Sequence, residues 1–330
     1  MAHAILAPSP HNTQPWLVEF DDASDMTLYC DLDRRLPFTD PIDRQITLGL
    51  GGFLELYRIA ASHLGQFAEI TLFPEGAPSP RLDARPIAHV SFSPVANAAA
   101  DPLFAYITAR RTNRNVYDLE RIPNDTLLLR ATAQVAGFLG AAQWTVEPAR
   151  VAALRDLVWR AFEREMQTEG AQRETYRWLR FGREAVAEHR DGLAIEGPMI
   201  GPLKALGFFG EDDLINPNSM TNETAARDWR AKAESATGFM WLATPDDRPE
   251  TRLQAGMAYA RLNLAATAFG IAMHPWSQAL QEYEEMADLY AEAKRVLEAQ
   301  DQVVQMLVRV GYAEPAAPSA RREADAVLRA

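Results

Sequence analysis

The sequence predicts an α+β protein made of two similar halves packed together. Two observations lead there. Short runs rich in β-branched and aromatic residues, bounded by turn residues, alternate with longer apolar-rich stretches of helical character. In addition, LGLGGFLELYRIAASHLG (Leu48–Gly65) lies over LQAGMAYARLNLAATAFG (Leu253–Gly270) at a constant offset of 205 residues. Leu48/Leu253, Gly51/Gly256, Ala60/Ala265, Ala61/Ala266 and Gly65/Gly270 are identical, and each copy ends on a glycine suited to a helix C-cap. Two Ala/Leu-rich helices can also share this many residues by chance, so duplication and coincidence both stay open here. The length of 330 residues fits two units of about 150.

Taken in order, Ala2–Ala7 reads as a short helix leading into a Pro/Ser/Asn loop. Trp16–Phe20 and Met26–Leu32 read as strands, with Asp21, Asp22 and Ser24 as the turn between them. Ile42–Leu64 is a long helix, apolar on most sides and therefore expected to be buried. Glu69–Phe73 and Ile87–Phe92 are further strands. Phe104–Arg110 is helical, and Arg111–Asp118 is a polar turn. A helix starts at Pro123, where a missing N–H costs nothing, and runs to about Val135. Gln143–Glu147 is a strand, and Pro148 opens one long helical stretch to about His189. Gly192–Thr221 is broken by Gly and Pro and reads as a lid, a binding loop or a surface excursion without a role. Gly238–Ala243 is a strand and Pro249–Phe269 a helix. Gln278–Ala299 is an amphipathic helix with Leu280, Tyr283, Met286, Tyr290, Ala293 and Leu297 on one stripe. Val303–Val310 is a strand, followed by a Pro/Ala-rich tail.

Composition narrows the function. With 48% hydrophobic and 24% charged residues the chain reads as an ordinary soluble globular protein. Lys and Arg number 33 against 45 Asp and Glu, a net charge of −12, which argues against broad nucleic-acid binding but leaves room for a local basic pocket. Cys30 is the only cysteine, so no intrachain disulfide forms; this fits a cytoplasmic protein. No run of 18 apolar residues is present, so no membrane span is expected. The N-terminal MAHAILAPSPHNTQPW lacks a basic region and is not expected to be a signal peptide. The six histidines form no i, i+4 pair, so no metal site is expected. The glycines of GLGGFL (Gly49–Leu54) do not follow the dinucleotide G-x-G-x-x-G pattern, and close helix packing explains them better.

Three clusters carry chemistry. RRTNR (Arg110–Arg114) places three guanidinium groups, a hydroxyl and an amide within five residues of an acidic chain. Guanidinium forks suit a phosphate; a solvated basic end paired with Asp118 and Glu120 is the plainer reading. APSPHNTQPW (Ala7–Trp16) is a proline-stiffened polar loop whose fixed donors and acceptors suit a flat heterocycle, or it is an ordinary turn. MHPWSQ (Met273–Gln278) offers His274 and Trp276 to a ligand, or packs Trp276 at the entry to a helix.

Together these motifs resemble the FMN-binding nitroreductase superfamily, and in particular the Acg-like branch, in which one chain holds two fused halves. A-P-S-x-x-N-x-Q-P-W is matched by APSPHNTQPW. RRTNRNVYD resembles R-R-S-x-R-x-[FY], with Thr112 where Ser is usual. LVRVGY (Leu307–Tyr312) with Arg321–Arg322 resembles the closing strand and basic phosphate contact. The resemblance implies a nitroreductase-like fold, each half an antiparallel-type sheet packed by helices, as a pseudo-dimer within one chain. It divides the chain into halves at 1–100 and 101–330, with a lid-like insertion at about 192–221.

The resemblance further implies FMN as cofactor. Arg110, Arg111, Thr112 and Arg114 would hold its phosphate with Arg321 or Arg322; Pro8, Ser9 and Asn12 would line its ring; His274, Pro275 and Trp276 would stand near its N5 edge. Arg177 or Arg180 is a candidate for the N1/O2 edge, unassigned between them. No side chain is required as an acid or base, so no catalytic residue and no metal ligand is named. The second half lacks a copy of the APSPHNTQPW motif, and DRRLPF (Asp33–Phe38) is at best a remnant of the arginine motif in the first, so one FMN is expected rather than two. The implied activity passes hydride from NAD(P)H through flavin to a nitro, quinone or similar acceptor. The alternative is an FMN-binding or FMN-sequestering protein whose lid closes the site. No nucleic-acid or membrane partner is expected, and the chain would be a monomeric pseudo-dimer or a homodimer.

Overall fold

β1 (Trp16–Phe20) and β2 (Asp25–Cys30) form an antiparallel hairpin. Helix α1 (Arg44–His63) follows, then β3 (Gln66–Leu72) and β4 (Ala88–Pro94). The four strands make one antiparallel sheet of order β1-β2-β4-β3. The computed structural model describes residues 1–21, 24–95 and 99–329; the expected turn residue Asp22 lies outside them. Trp16, Val18, Met26, Leu28 and Val90 are buried and join residues of α1 in the larger apolar core.

The rest of the chain runs α2 (Asp125–Ala133), β5 (Ala141–Thr145), α3 (Pro148–Gln167), α4 (Glu169–Trp178), β6 (Leu179–Phe181), α5 (Gly182–His189) and β7 (Leu193–Ile195). It continues through α6 (Ile200–Ala205), α7 (Glu211–Ile215), α8 (Met220–Glu234), β8 (Gly238–Thr244), α9 (Pro249–Ala268), β9 (Ala272–Pro275), α10 (Ala287–Val296) and β10 (Val303–Gly311). The second main sheet has the order β5-β8-β10-β9, again wholly antiparallel. Each sheet therefore places its four strands in the same relative order, with a twenty-residue helix between the second and third.

α1 and α9 pack along their lengths. The contact is reciprocal. A Cβ added at Gly51 would collide with the carbonyl of Leu253, and one at Gly256 with the carbonyl of Leu48. These are the paired positions of the internal repeat, so the two helices cross about a pseudo-twofold axis. Gly65 and Gly270, the last repeat positions, both stand at φ +69°. The other helix glycines serve the same packing: Gly49 accepts Ser9 and Pro10 against its bare Cα, and Gly52 lies against Pro8.

GFMWLAT explains how one strand joins two cores. β8 is buried throughout. Met240 and Leu242 face the larger core with α9, while Phe239, Trp241 and Ala243 face a second core built from α3 and α10.

Several boundaries differ from expectation. Ala2–Ala7 and Phe104–Arg110 shorten to single tight turns at Ala4–Leu6 and Pro102–Tyr106. The expected helix over 148–189 is three helices. Thr168 is extended, and Leu179–Phe181 leaves the helix to pair in parallel with β7. Gly192–Thr221 is not wholly irregular, since it holds β7, α6 and α7, and α8 begins at its end on an N-cap from Ser219 to the Asn222 N–H. The expected helix over 278–299 starts only at Ala287. Arg44 takes the Leu280 carbonyl and the Glu282 carboxylate, so that segment forms tight turns instead. Its stripe is nevertheless buried at Leu280, Met286, Ala293 and Leu297.

Candidate functional site

The turn after Ile107 is fixed from both sides. The Asn113 N–H donates to the Met273 carbonyl on β9, and its side-chain amide donates to the Glu314 carbonyl beyond β10. Arg309, buried in the apolar strand β10, completes the anchorage. Its guanidinium donates to the carbonyls of Lys232 and Asn115, to Ser235 Oγ and to His274 Nδ1, and lies 4.0 Å over the Tyr117 ring. A charged residue inside LVRVGY is the sequence signal for this clamp, since a buried arginine must spend its donors on specific acceptors.

The anchored turn aims Arg110 and Arg111 into a cavity of about 110 Å³ shared with Thr112, Ser319, Arg321, Leu6 and Pro318. Arg110 is buried and gives one N–H to the Leu6 carbonyl at 3.1 Å; its Nε and Nη1 have no partner. Arg111 Nε and Arg321 Nε are likewise buried without acceptors. Among the described residues no carboxylate forms an ion pair with Arg110, Arg111, Arg114 or Arg321. Burial, followed by the charges of Arg110, Arg111 and Arg114, pushes Arg321 down to about 9. Burial, with Arg111 beside it, also holds Arg110 below the usual arginine range. Four guanidinium groups that raise each other's energy without a counter-charge have the chemistry to receive an anion.

Arg114 is half-buried and extends the cluster inward. Burial and then the charge of Arg114 take His11 down to about 4. His274 is held well below the ordinary histidine range by burial, then by Arg309 and Arg114. Both imidazoles are therefore neutral at pH 7. Tyr259 of α9, buried with its hydroxyl accepting from Asn263 at 3.1 Å, feels the charges of Arg110 and Arg114. Tyr259 was not foreseen, because its helix is apolar on nearly every side and gives no periodic signal.

The structure sorts the expected residues. It brings Arg110, Arg111, Thr112 and Arg321 to one cavity, with Arg114 and His274 close behind. Pro8 and Ser9 are seated on the α1 glycines, and Ser9 Oγ accepts the Gln14 N–H at 3.0 Å. Pro275 pairs in register with Val308 at the end of β9. Three of the expected residues are engaged elsewhere. Asn12 spends both amide donors on the carbonyls of Gly192 (3.1 Å) and Ala320 (3.2 Å), while its Oδ1 accepts from Arg321 at 2.8 Å, so its side chain has no donor left for a ring. Trp276 is buried in the second core, where its N–H reaches the Val158 carbonyl at 2.9 Å and its ring packs on Phe162 and Trp229. Arg322 turns to the Gln14 carbonyl and to Asp31, away from the cavity. Arg180 pairs with Asp191 at 2.6 Å, and Arg177 donates to the Asp33 carbonyl.

A scan against protein-family models finds no match. Among curated proteins, the chain is 29% identical to a putative NAD(P)H nitroreductase of Mycobacterium tuberculosis over 333 residues, covering 98% of this chain and 88% of the relative. It is 37% identical over 91 residues to the putative NAD(P)H nitroreductase Acg of the same organism, 28% of this chain and 26% of the relative. It is 24% identical to the probable NAD(P)H nitroreductase PigM of Serratia, over 84% of this chain and 79% of the relative. Solved structures matched include the FMN-dependent nitroreductase NfnB of Mycobacterium smegmatis in complex with NADPH, at 17% identity, 68% of this chain, 95% of that chain and a TM-score of 0.41. The chain is thus a homologue, over nearly its whole length, of proteins named putative NAD(P)H nitroreductases, and over a shorter stretch of Acg, as its motifs implied.

Proposed function

We propose that this homologue of the putative NAD(P)H nitroreductases is an FMN-dependent oxidoreductase that draws hydride from NAD(P)H and reduces a nitro compound, quinone or similar acceptor. The observation that carries the reading is the convergence of Arg110, Arg111 and Arg321 on one cavity, with buried N–H groups unpartnered and no carboxylate among them. Those orphaned donors fit a phosphate monoester, which accepts bidentate guanidinium bonds and carries a charge of about −1.5 to −2.

Bound there, FMN would supply the hydride-accepting and electron-donating chemistry, leaving binding, orientation and electrostatics to the protein. Arg110, Arg111, Thr112 and Arg321 would hold the phosphate. Arg114 would place a positive charge deeper in the site, next to two imidazoles that stay neutral. Pro8, Ser9, His274 and Pro275 would border the ring. Asn12 would act by holding Arg321, and Trp276 by filling the core behind β9. We also read the paired sheets and reciprocal helices as an internal duplication, with the halves at 1–100 and 101–330.

A second reading has its own support. A cavity of about 110 Å³ is smaller than the roughly 300–1,000 Å³ of ordinary ligand pockets, and the base of the 192–221 segment is bonded to Asn12. A segment tethered beside the site in this way suits an FMN-sequestering protein with little turnover. The visible spectrum of the purified protein, before and after anaerobic NADH or NADPH, separates the two. A flavin spectrum that bleaches and recovers in air is expected of the oxidoreductase; a flavin spectrum unchanged by both nucleotides favours sequestration. Absence of flavin, even after adding FMN, overturns both.

Affinity for FMN should also follow pH. It should be level above about 6, where the phosphate takes its second charge, and should fall as pH drops below that. A titration by flavin fluorescence checks this, and an affinity unchanged between pH 7 and pH 5 would argue against a phosphate held by the arginine cluster.

A further inference from the structure

Asn12 joins three distant stretches of chain. Its amide holds the tail through Ala320 and Arg321, and it exchanges two hydrogen bonds with Gly192: Nδ2 to the Gly192 carbonyl at 3.1 Å, and the Gly192 N–H to the Asn12 carbonyl at 3.2 Å. Gln14 repeats the pattern, donating to the Arg190 carbonyl at 2.9 Å and accepting the Arg322 N–H at 2.8 Å. Arg190 closes the circuit by donating to the Arg321 carbonyl at 2.8 Å. His11, Asn12 and Gln14 all stand at positive φ, between 45° and 54°. L-residues hold that conformation only when their surroundings over-determine it. Here the surroundings are the tail on one side and residues 190–192 on the other.

We propose that Asn12 is a positioning residue that couples anion binding at the arginine cluster to the docking of residues 190–192. The proposal rests on the anion-binding part of the functional reading and not on flavin. Arg321 is repelled by Arg110, Arg111 and Arg114, and the Asn12 oxygen is its closest side-chain acceptor. An anion turns that repulsion into attraction and draws Arg321 inward. Arg321 then fixes Asn12, and Asn12 fixes Gly192. By linkage, the factor by which the anion favours docking of residues 190–192 equals the factor by which docking favours the anion, so loosening Gly192 should weaken the anion by up to that factor.

Gly192 provides a remote handle. It stands at φ +73°, and a Cβ there would strike the Trp178 carbonyl, so Gly192→Ala must shift the segment. No atom of Gly192 lines the cavity. Asp191 beside it is buried and bridges Arg34 (2.7 Å) and Arg180 (2.6 Å), so Asp191→Asn loosens the same segment more gently.

The test uses the full chain and inorganic phosphate, with calorimetric titration and amide hydrogen exchange over residues 190–205. Phosphate should slow exchange there in the wild type. Gly192→Ala, or Asp191→Asn if the former fails to fold, should weaken phosphate about 5- to 150-fold and abolish that protection. Asn12→Ala should do both. The proposal is overturned if the wild type binds no phosphate, if phosphate leaves exchange over 190–205 unchanged, or if the loosened variants bind phosphate as the wild type does. A parallel FMN titration keeps the functional reading separate: coupling seen with phosphate but no FMN binding defeats the flavin assignment and leaves the coupling standing.

Discussion

The two four-stranded sheets share a strand order and a central helix, yet the two arginine clusters near them are treated in opposite ways. Beside the first sheet, Arg34 pairs with Asp31 and Asp191, and Arg35 and Arg81 pair with the buried Asp43 at the start of α1. In the other cluster, Arg110, Arg111 and Arg114 have no such carboxylate among the described residues, and the tail adds a fourth arginine, Arg321, to them. Both groups look alike in sequence, as DRRLPF and RRTNR. What separates an internal clamp from an anion site is whether acidic side chains arrive with the arginines. A paired guanidinium has already spent its donors; an unpaired buried one holds unused binding energy.

The comparison breaks most sharply at the arginines. Arg110→Ala combined with Arg114→Ala should weaken FMN by on the order of 10²–10⁴-fold, since charge-assisted bonds are worth about 1.5–3 kcal/mol each. The fold should persist, because the change also relieves buried repulsion. Arg35→Ala should do the reverse, lowering the urea midpoint while leaving flavin affinity intact. Equal flavin loss in both would mean that carboxylate pairing does not distinguish the two clusters.

Next comes the helix crossing. Gly51→Ala and Gly256→Ala each press a methyl group into a backbone carbonyl that cannot turn aside. Each should cost at least about 1–3 kcal/mol, and by nearly the same amount. Markedly unequal losses in denaturant midpoints would argue against a true pseudo-twofold contact.

The histidines offer a smaller, pH-dependent test. Burial lowers both His11 and His274 below 6.5, so the unfolded chain binds more protons than the native chain as pH falls. Stability should therefore be full above about 6.5 and decline toward about 4, by up to about 1.4 kcal/mol per pH unit for each histidine. Denaturation at pH 7 and pH 5, repeated on His274→Asn, should show the slope and its partial loss.

The smallest effect is expected where the halves agree most. Gly65 and Gly270 share φ +69° with open space around them, so alanine at either meets only left-handed strain. About 1 kcal/mol from each is expected. Calorimetric melting of the two single variants checks whether the helix ends are as alike as their backbones.

The sheets and twin helices were largely legible in the sequence. Trp16–Phe20 shows a strand by its composition, and the repeat at Leu48 and Leu253 marks two helices with small residues suited to close packing, though that they pack on each other is seen only in the structure. The breaks within 148–189 were not legible, since Thr168 carries no strong stop and Leu179–Phe181 leaves the helix to find β7 far along the chain. Local pattern by itself pointed to the mix of strands and helices, the two similar helices and the arginine-rich cluster. Tertiary structure alone decided that those helices pack together, which arginines go without carboxylates, that Arg321 joins them while Arg322 does not, and that Asn12 bonds Gly192, Ala320 and Arg321. Those outcomes depend on contacts between residues more than a hundred positions apart, and the free energy of a charge is set by what surrounds it in space, not by its neighbours in sequence.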